Sequence, residues 1–282
     1  MAAVLALLSA VAYGAGDFLG GMAARRLPPA AVVLRGNAVG LVGLVLAVPL
    51  VGDAELLGRD AAIGAAGGIV GGIGLLLLYR GLARGTMSVV APITAVLSAV
   101  VPVLWGLATG ERPAAVALVG VPLALVAIAL LAREPVDDDD RTTGLSRADL
   151  LTALGAGLGF GLFFVSLDAT SDDAGLWPVV FGRTASVVLF ALVAVTTASA
   201  RAAGRSVPMA LVVGCGLLDA GANALFLLAT QRGLLTLVAV LGALYPASTL
   251  LLARVVLGER LARPQLGGVV LAGVAVVLVT AG

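Results

Sequence analysis

Residues 84–132, RGTMSVVAPITAVLSAVVPVLWGLATGERPAAVALVGVPLALVAIALLA, return 148 positions later as residues 232–280, RGLLTLVAVLGALYPASTLLLARVVLGERLARPQLGGVVLAGVAVVLVT. Without a gap, 19 of these 49 positions are identical, against roughly one in eight expected by chance in so biased a composition. The same shift sets Arg35 on Arg183, Arg84-Gly85 on Arg232-Gly233, and Gly110-Glu111-Arg112 on Gly258-Glu259-Arg260. The chain is two copies of one unit.

What each copy is made of follows from composition. Of the 282 residues, 61% are hydrophobic and 12% charged, with a mean hydropathy of +1.14. Soluble domains average about 45–50% apolar and about 25% charged residues. Apolar runs recur along the whole chain rather than once near its start, and each is long enough for the roughly 20 residues of a membrane span. Charged or turn-forming clusters separate ten of them, near 2–22, 29–51, 61–79, 86–108, 114–132, 150–168, 175–198, 207–229, 234–257 and 264–281. The expected fold is an all-α membrane protein of ten transmembrane helices.

An odd number of spans per copy forces the second copy to enter the membrane upside down, giving two inverted five-helix repeats. The expected units are 1–134 and 149–282, joined by an acidic linker over 135–148 that holds Pro135 and the run Asp137 to Asp140. Loop charges test the inversion independently. The first loop carries Arg25-Arg26 and its counterpart Asp172-Asp173, whereas the second carries only Arg59 and its counterpart Arg201 and Arg205. The positive bias switches loops between the copies. Odd loops hold most of the arginines outside the spans, and even loops only Arg59, Arg112 and Arg232. By the positive-inside rule the odd loops face the cytoplasm. Both termini then lie on one side, and the charge count favours the outside.

The inventory also excludes chemistries. There is no His, one Cys (Cys215), and every basic residue is Arg. Without Lys there is no phosphate-loop lysine and no Schiff base. Without His there is no Ser-His-Asp relay and no His-ligated zinc or haem. Intrachain disulfides are impossible, no metal site or cofactor is suggested, and a net charge of +1 gives no argument for nucleic acid.

Two five-span copies, each with Gly-Glu-Arg after its fourth span, resemble the EamA-domain families of the drug/metabolite transporter superfamily, over nearly the whole chain. The resemblance implies a central cavity lined by the first four helices of each copy, with the fifth outside. It implies a secondary transporter, often an exporter, of amino acids, other small metabolites or drugs, working by alternating access. Its partners would be the lipid bilayer and a small-molecule substrate, with protons a candidate coupling ion; the oligomeric state stays open. Members of these families usually keep both termini in the cytoplasm, opposite to the arginine count here.

Ionisable groups at membrane depth cost about 2.5–3.5 kcal/mol on insertion scales and usually face a cavity. Asp219 sits mid-span with Asn223 one turn further on the same face. It is the candidate coupling or substrate-contacting acid, and the competing reading is a neutral or Arg-paired Asp that only holds helices together. Asp17 and Tyr13 share a face of the first span at i, i+4 spacing, with interfacial packing as the alternative to cavity lining. Arg35 and Arg183 occupy equivalent places in the copies, either as anion contacts or as structural, snorkelling cations. Tyr245, Trp105 and Tyr79 are candidate aromatic walls or interfacial anchors. Pro92, Pro102 and Pro246 are candidate hinges, because each removes an i→i−4 bond. Stripes of small residues such as Gly64-Gly68-Gly72 read as helix contacts without a ligand.

Two other functions compete. A passive channel or membrane scaffold needs no coupling feature. An intramembrane aspartyl protease would use Gly14-Ala15-Gly16-Asp17 as its Gly-x-Gly-Asp string and Asp219 as the second acid. The string is short in a chain with 38 Gly, and no Tyr precedes Asp219.

Overall fold

A computed structural model describes residues 1–24, 26–51, 54–55, 57–83, 87–132, 146–196, 209–258 and 261–282. Arg25, Arg84-Gly85, Asp137 to Asp140, Arg201, Arg205 and Glu259-Arg260 lie outside them, as do most of the linker and the side chain of Tyr79. The described residues form helices α1 (Ala2–Ala24), α2 (Pro29–Val51), α3 (Gly58–Ala83), α4 (Met87–Ala108), α5 (Ala115–Leu131), α6 (Arg147–Asp168), α7 (Trp177–Thr196), α8 (Met209–Thr230), α9 (Leu235–Gly242), α10 (Tyr245–Leu257) and α11 (Arg263–Ala281).

Among the described residues, nine segments are long and apolar enough to cross a membrane, with Leu235–Leu257 counted as one. The tenth expected span, α5, has 17 residues, about 26 Å of helix and the lower limit for a crossing. Two boundaries have evident causes. The sixth span begins at Arg147 rather than 150 because the Ser146 side chain accepts a hydrogen bond from the Asp149 backbone N–H at 3.1 Å, an N-cap. The seventh begins at Trp177 rather than 175 because a 3-10 turn at Asp172–Ala174 and Gly175, at φ 54°, bring the chain round first.

The ninth span is broken. It stops at Gly242 and restarts at Tyr245. Pro246 has no N–H for the Gly242 carbonyl, and its ring crowds that carbonyl. The equivalent helix α4 runs unbroken through both Pro92 and Pro102, so the interruption belongs to one copy only.

Helix contacts carry the repeat's symmetry. α1 packs on α8 as α6 packs on α3, α2 on α8 as α7 on α3, and α4 on α6 as α10 on α1. Three further pairs, α2 with α7, α4 with α9 and α5 with α11, join a helix to its counterpart in the other copy. Gly120 of α5 faces Leu278 and Val279 of α11, while Gly268 of α11 faces Leu130 and Leu131 of α5. Each contact maps onto the other by the 148-residue shift, and the two helices run antiparallel, so the copies are inverted. Most of this packing crosses between copies; the halves interdigitate rather than sit side by side.

Gly68 and Gly216, equivalent under the shift, mark two of the tightest crossings. At each the opposing backbone, Gly182 for Gly68 and Gly36 for Gly216, occupies the place of a Cβ. Gly68→Ala is therefore expected to push α3 off α7 and cost about 1–3 kcal/mol. Gly273→Ala, with nothing within 4 Å of its Cβ position, should be neutral or slightly stabilising. Unfolding midpoints of the two variants in detergent micelles give the comparison; equal midpoints would refute this account of the crossing.

Candidate functional site

The alternating helix directions give the bundle two faces. The linker face carries the connections after α1, α3, α5, α7 and α10, and the terminal face carries both chain ends and the remaining connections. A cavity of about 370 Å³, a size suited to a small molecule, is formed chiefly by α1, α3, α4, α6, α7, α8 and α10. It borders α1 from Tyr13 to Gly21, α3 from Gly68 to Leu78 and α4 from Ala91 to Ser98, and it reaches Leu131 and Ala132 at the end of α5 and Gln265 at the start of α11. On these helices the lining positions run from mid-helix to the linker face, which the cavity reaches among the described residues. The ends of α5 and α11 thus touch its mouth, although the fifth helices were expected to lie clear of it.

Toward the terminal face the same helices close on each other. Phe226, Leu227, Val238, Val240 and Leu241 are at most 2% exposed, and Ser9 Oγ donates to the Ala222 carbonyl at 2.8 Å, tying α1 to α8. Glu111 fastens this end. Gly110, at φ 102°, turns the chain back after α4. The Glu111 carboxylate then accepts from the backbone N–H groups of Leu235 at 2.6 Å and Thr236 at 2.8 Å, and from the Thr236 hydroxyl at 2.5 Å. A carboxylate at a helix N-terminus satisfies otherwise unpaired N–H groups and complements the helix dipole. Sequence reading used Gly-Glu-Arg only as a repeat marker and missed this role.

At the closed end of the cavity a polar chain crosses four helices. The tight crossing at Gly36 and Gly216 brings Asn37 of α2 and Asp219 of α8 to the same place. Arg183 of α7, 8% exposed, pairs with Asp219 at 2.6 Å and donates to the Asn37 side-chain oxygen. The Asn223 amide donates to the Asp219 backbone carbonyl at 2.8 Å, and Tyr13 of α1 donates to Asn223 Oδ1 at 2.7 Å. The other wall is apolar and aromatic, with Leu75, Leu78, Phe160, Phe163 and Phe164. Tyr13 joins the walls, meeting Phe164 and Tyr245 edge-on at centroid distances of 6.1 and 6.4 Å.

Of the residues singled out in the sequence, Asp219, Asn223, Asp17, Tyr13, Arg183 and Tyr245 line this one cavity, and so does Pro246. Arg35 and Trp105 do not border it. Arg35 is half-buried on α2, and Trp105 is 46% exposed on α4. The two equivalent arginines differ because the position matching Asp219 is Gly71. Sequence reading missed Asn37, Ser186, Thr94, Thr249 and the phenylalanines; only Asn37, a polar residue at membrane depth two places from Arg35, carried a usable signal. Asp219, the second acid of the aspartyl-protease reading, is paired with Arg183.

The profile of the EamA-like transporter family matches residues 1–133 and 148–281. No curated protein matches the chain. Among solved structures 28 chains match. One of them, described only as "Crystal structure of protein", is 17% identical with a TM-score of 0.79, over 99% of this chain and 96% of that one. At that identity the likeness is one of fold.

Proposed function

Because the chain belongs to the EamA-like transporter family, we propose that it is a secondary transporter that exports a small metabolite by alternating access, with protons as the coupling ion. The observation that carries this reading is the cavity, which among the described residues reaches one face and is closed toward the other, and is built around the Arg183–Asp219 pair. In the proposed topology α5 completes ten spans and both chain ends lie on one side. The arginine bias makes the linker face cytoplasmic, so the cavity is open to the side from which an exporter loads. Asp219 carries the coupling proton in this reading, since its carboxylate borders the cavity and is bound to the cation that protonation would release. The break before Pro246, beside the cavity, is the proposed hinge, whereas α4 runs unbroken through Pro92 and Pro102. The two copies offer matched elements for closing one face as the other opens.

The test compares metabolites in medium and cells with the wild-type chain, with Asp219→Asn and without either, after membrane expression is confirmed. Wild type should enrich at least one compound in the medium, and Asp219→Asn should abolish the enrichment. In proteoliposomes an imposed proton gradient should drive that compound uphill. Downhill movement only would favour the channel reading. Equal export and equal pH dependence in Asp219→Asn would end the coupling role.

A further inference from the structure

The charged side chains that border the cavity among the described residues are Asp17, Asp219 and Arg183. Arg183 is committed to Asp219 and Asn37. Asp17, exposed to the cavity, makes no hydrogen bond or ion pair among the described residues. Among the described residues the cavity therefore holds one carboxylate more than it has cations. A carboxylate at membrane depth without a partner is costly, and a ligand that supplies positive charge removes the cost.

The internal repeat shows which wall has been given this polarity. Under the 148-residue shift Asp17 stands where the other copy has Val165, Tyr13 where it has Gly161, and Asn223 where it has Leu75. The two walls are therefore chemically opposite, although they derive from one repeated unit. The hydrogen bonds on the polar wall run in one direction. Tyr13 gives its proton to Asn223, which leaves the phenolic oxygen, one turn from Asp17, as an acceptor. Beside it stand the rings of Tyr245 and Phe164, whose faces attract an organic ammonium. Two oxygen acceptors and aromatic rings at one end, and Phe163 with Leu75 at the other, fit a single kind of molecule.

We propose that the cavity selects an organic monocation, a primary or secondary amine on an apolar, ring-bearing body, with the amine at Asp17 and Tyr13 and the body against Phe163 and Leu75. This rests on the reading of the cavity as the transport site. Among the described residues an anion would find the one bordering cation, Arg183, paired with Asp219, and a zwitterion's carboxylate would meet the same paired cation.

Four probes share one body and differ in charge: 2-phenylethylamine, phenylalanine, 3-phenylpropionate and 2-phenylethanol. Their binding to the full chain in lipid nanodiscs is measured by calorimetry. The amine should bind saturably and more tightly than the other three. Asp17→Asn should weaken it about tenfold or more, while Asp17→Glu restores most of the affinity. Binding of no probe, equal binding of the alcohol, or tighter binding of the acid or amino acid overturns the proposal, and these outcomes need no variant to fold. Unchanged amine affinity in a folded Asp17→Asn also overturns it. Flux in proteoliposomes separates the two readings. Amine that binds but does not cross refutes transport and leaves the ligand class standing; metabolite flux without preference for the amine does the reverse.

Discussion

Replacing Arg183 with methionine is expected to abolish transport and to lower the stability of the protein by about 2 kcal/mol. The guanidinium is 8% exposed and is the only cation bordering the cavity among the described residues. Removing one partner of a wholly buried ion pair costs roughly 3–5 kcal/mol, because the other charge is left without compensation. The Asp219 side chain is 36% exposed to the cavity, so water recovers part of that loss, which sets the smaller figure. Lysine at this position keeps the charge but not the rigid guanidinium that sets one nitrogen, Nη1, against both Asp219 and Asn37, and should fall between wild type and methionine. Arg183→Met combined with Asp219→Leu removes both charges; stability should return while transport stays lost. Unfolding in detergent micelles and flux in proteoliposomes give the two readouts. A methionine variant as stable as wild type would show that the pair contributes nothing to the fold.

Glu111→Ala should be comparable in stability and different in kind. Its carboxylate serves three donors at the start of α9, and their loss is expected to cost on the order of 2 kcal/mol, the upper range for a cap because the bonds are charge-assisted. Glutamine keeps an acceptor oxygen and should lose less. Because Glu111 joins the end of α4 to the start of α9 across the two copies, the terminal face should also loosen. With Cys215 changed to serine, a cysteine at Val103, which is 6% exposed, should resist a water-soluble thiol reagent in the Glu111 background and react in the alanine background. Equal protection in both would confine Glu111 to helix stability and remove it from closure.

Both predictions depend on residues of unequal legibility in the sequence. Asp219 and Arg183 stood out because a charge inside an apolar run is rare, and their pairing was one of the readings weighed. Glu111 lies in a turn, where a carboxylate is unremarkable until its partners are known. The cavity's apolar wall was invisible for a further reason. A phenylalanine facing a cavity and one facing lipid are drawn from the same composition, so Phe163 and Phe164 carried no mark, and Trp105, on the outside of α4, looked as eligible as Tyr245. For the fold, the repeat, the inversion and nearly every span followed from charge and periodicity. The break in the ninth span did not, because Pro246 predicts a kink, whereas Pro102 in the equivalent helix produces no interruption. What decides between them is the packing around each proline, and no local stretch of sequence encodes that.

The interdigitation of the two copies has a consequence for synthesis. A ribosome makes α1, α2 and α3 well before α6, α7 and α8, yet those later helices are their main neighbours. The early arrivals must wait in the bilayer with their glycine-lined faces uncovered, including Gly36 and Gly68, whose partners Gly216 and Gly182 are still unmade. The first copy is therefore a stock of inserted but unassembled helices rather than a finished half. Quality control in the membrane would meet it in that state during every round of translation, and a chain stopped within the linker would stay in it.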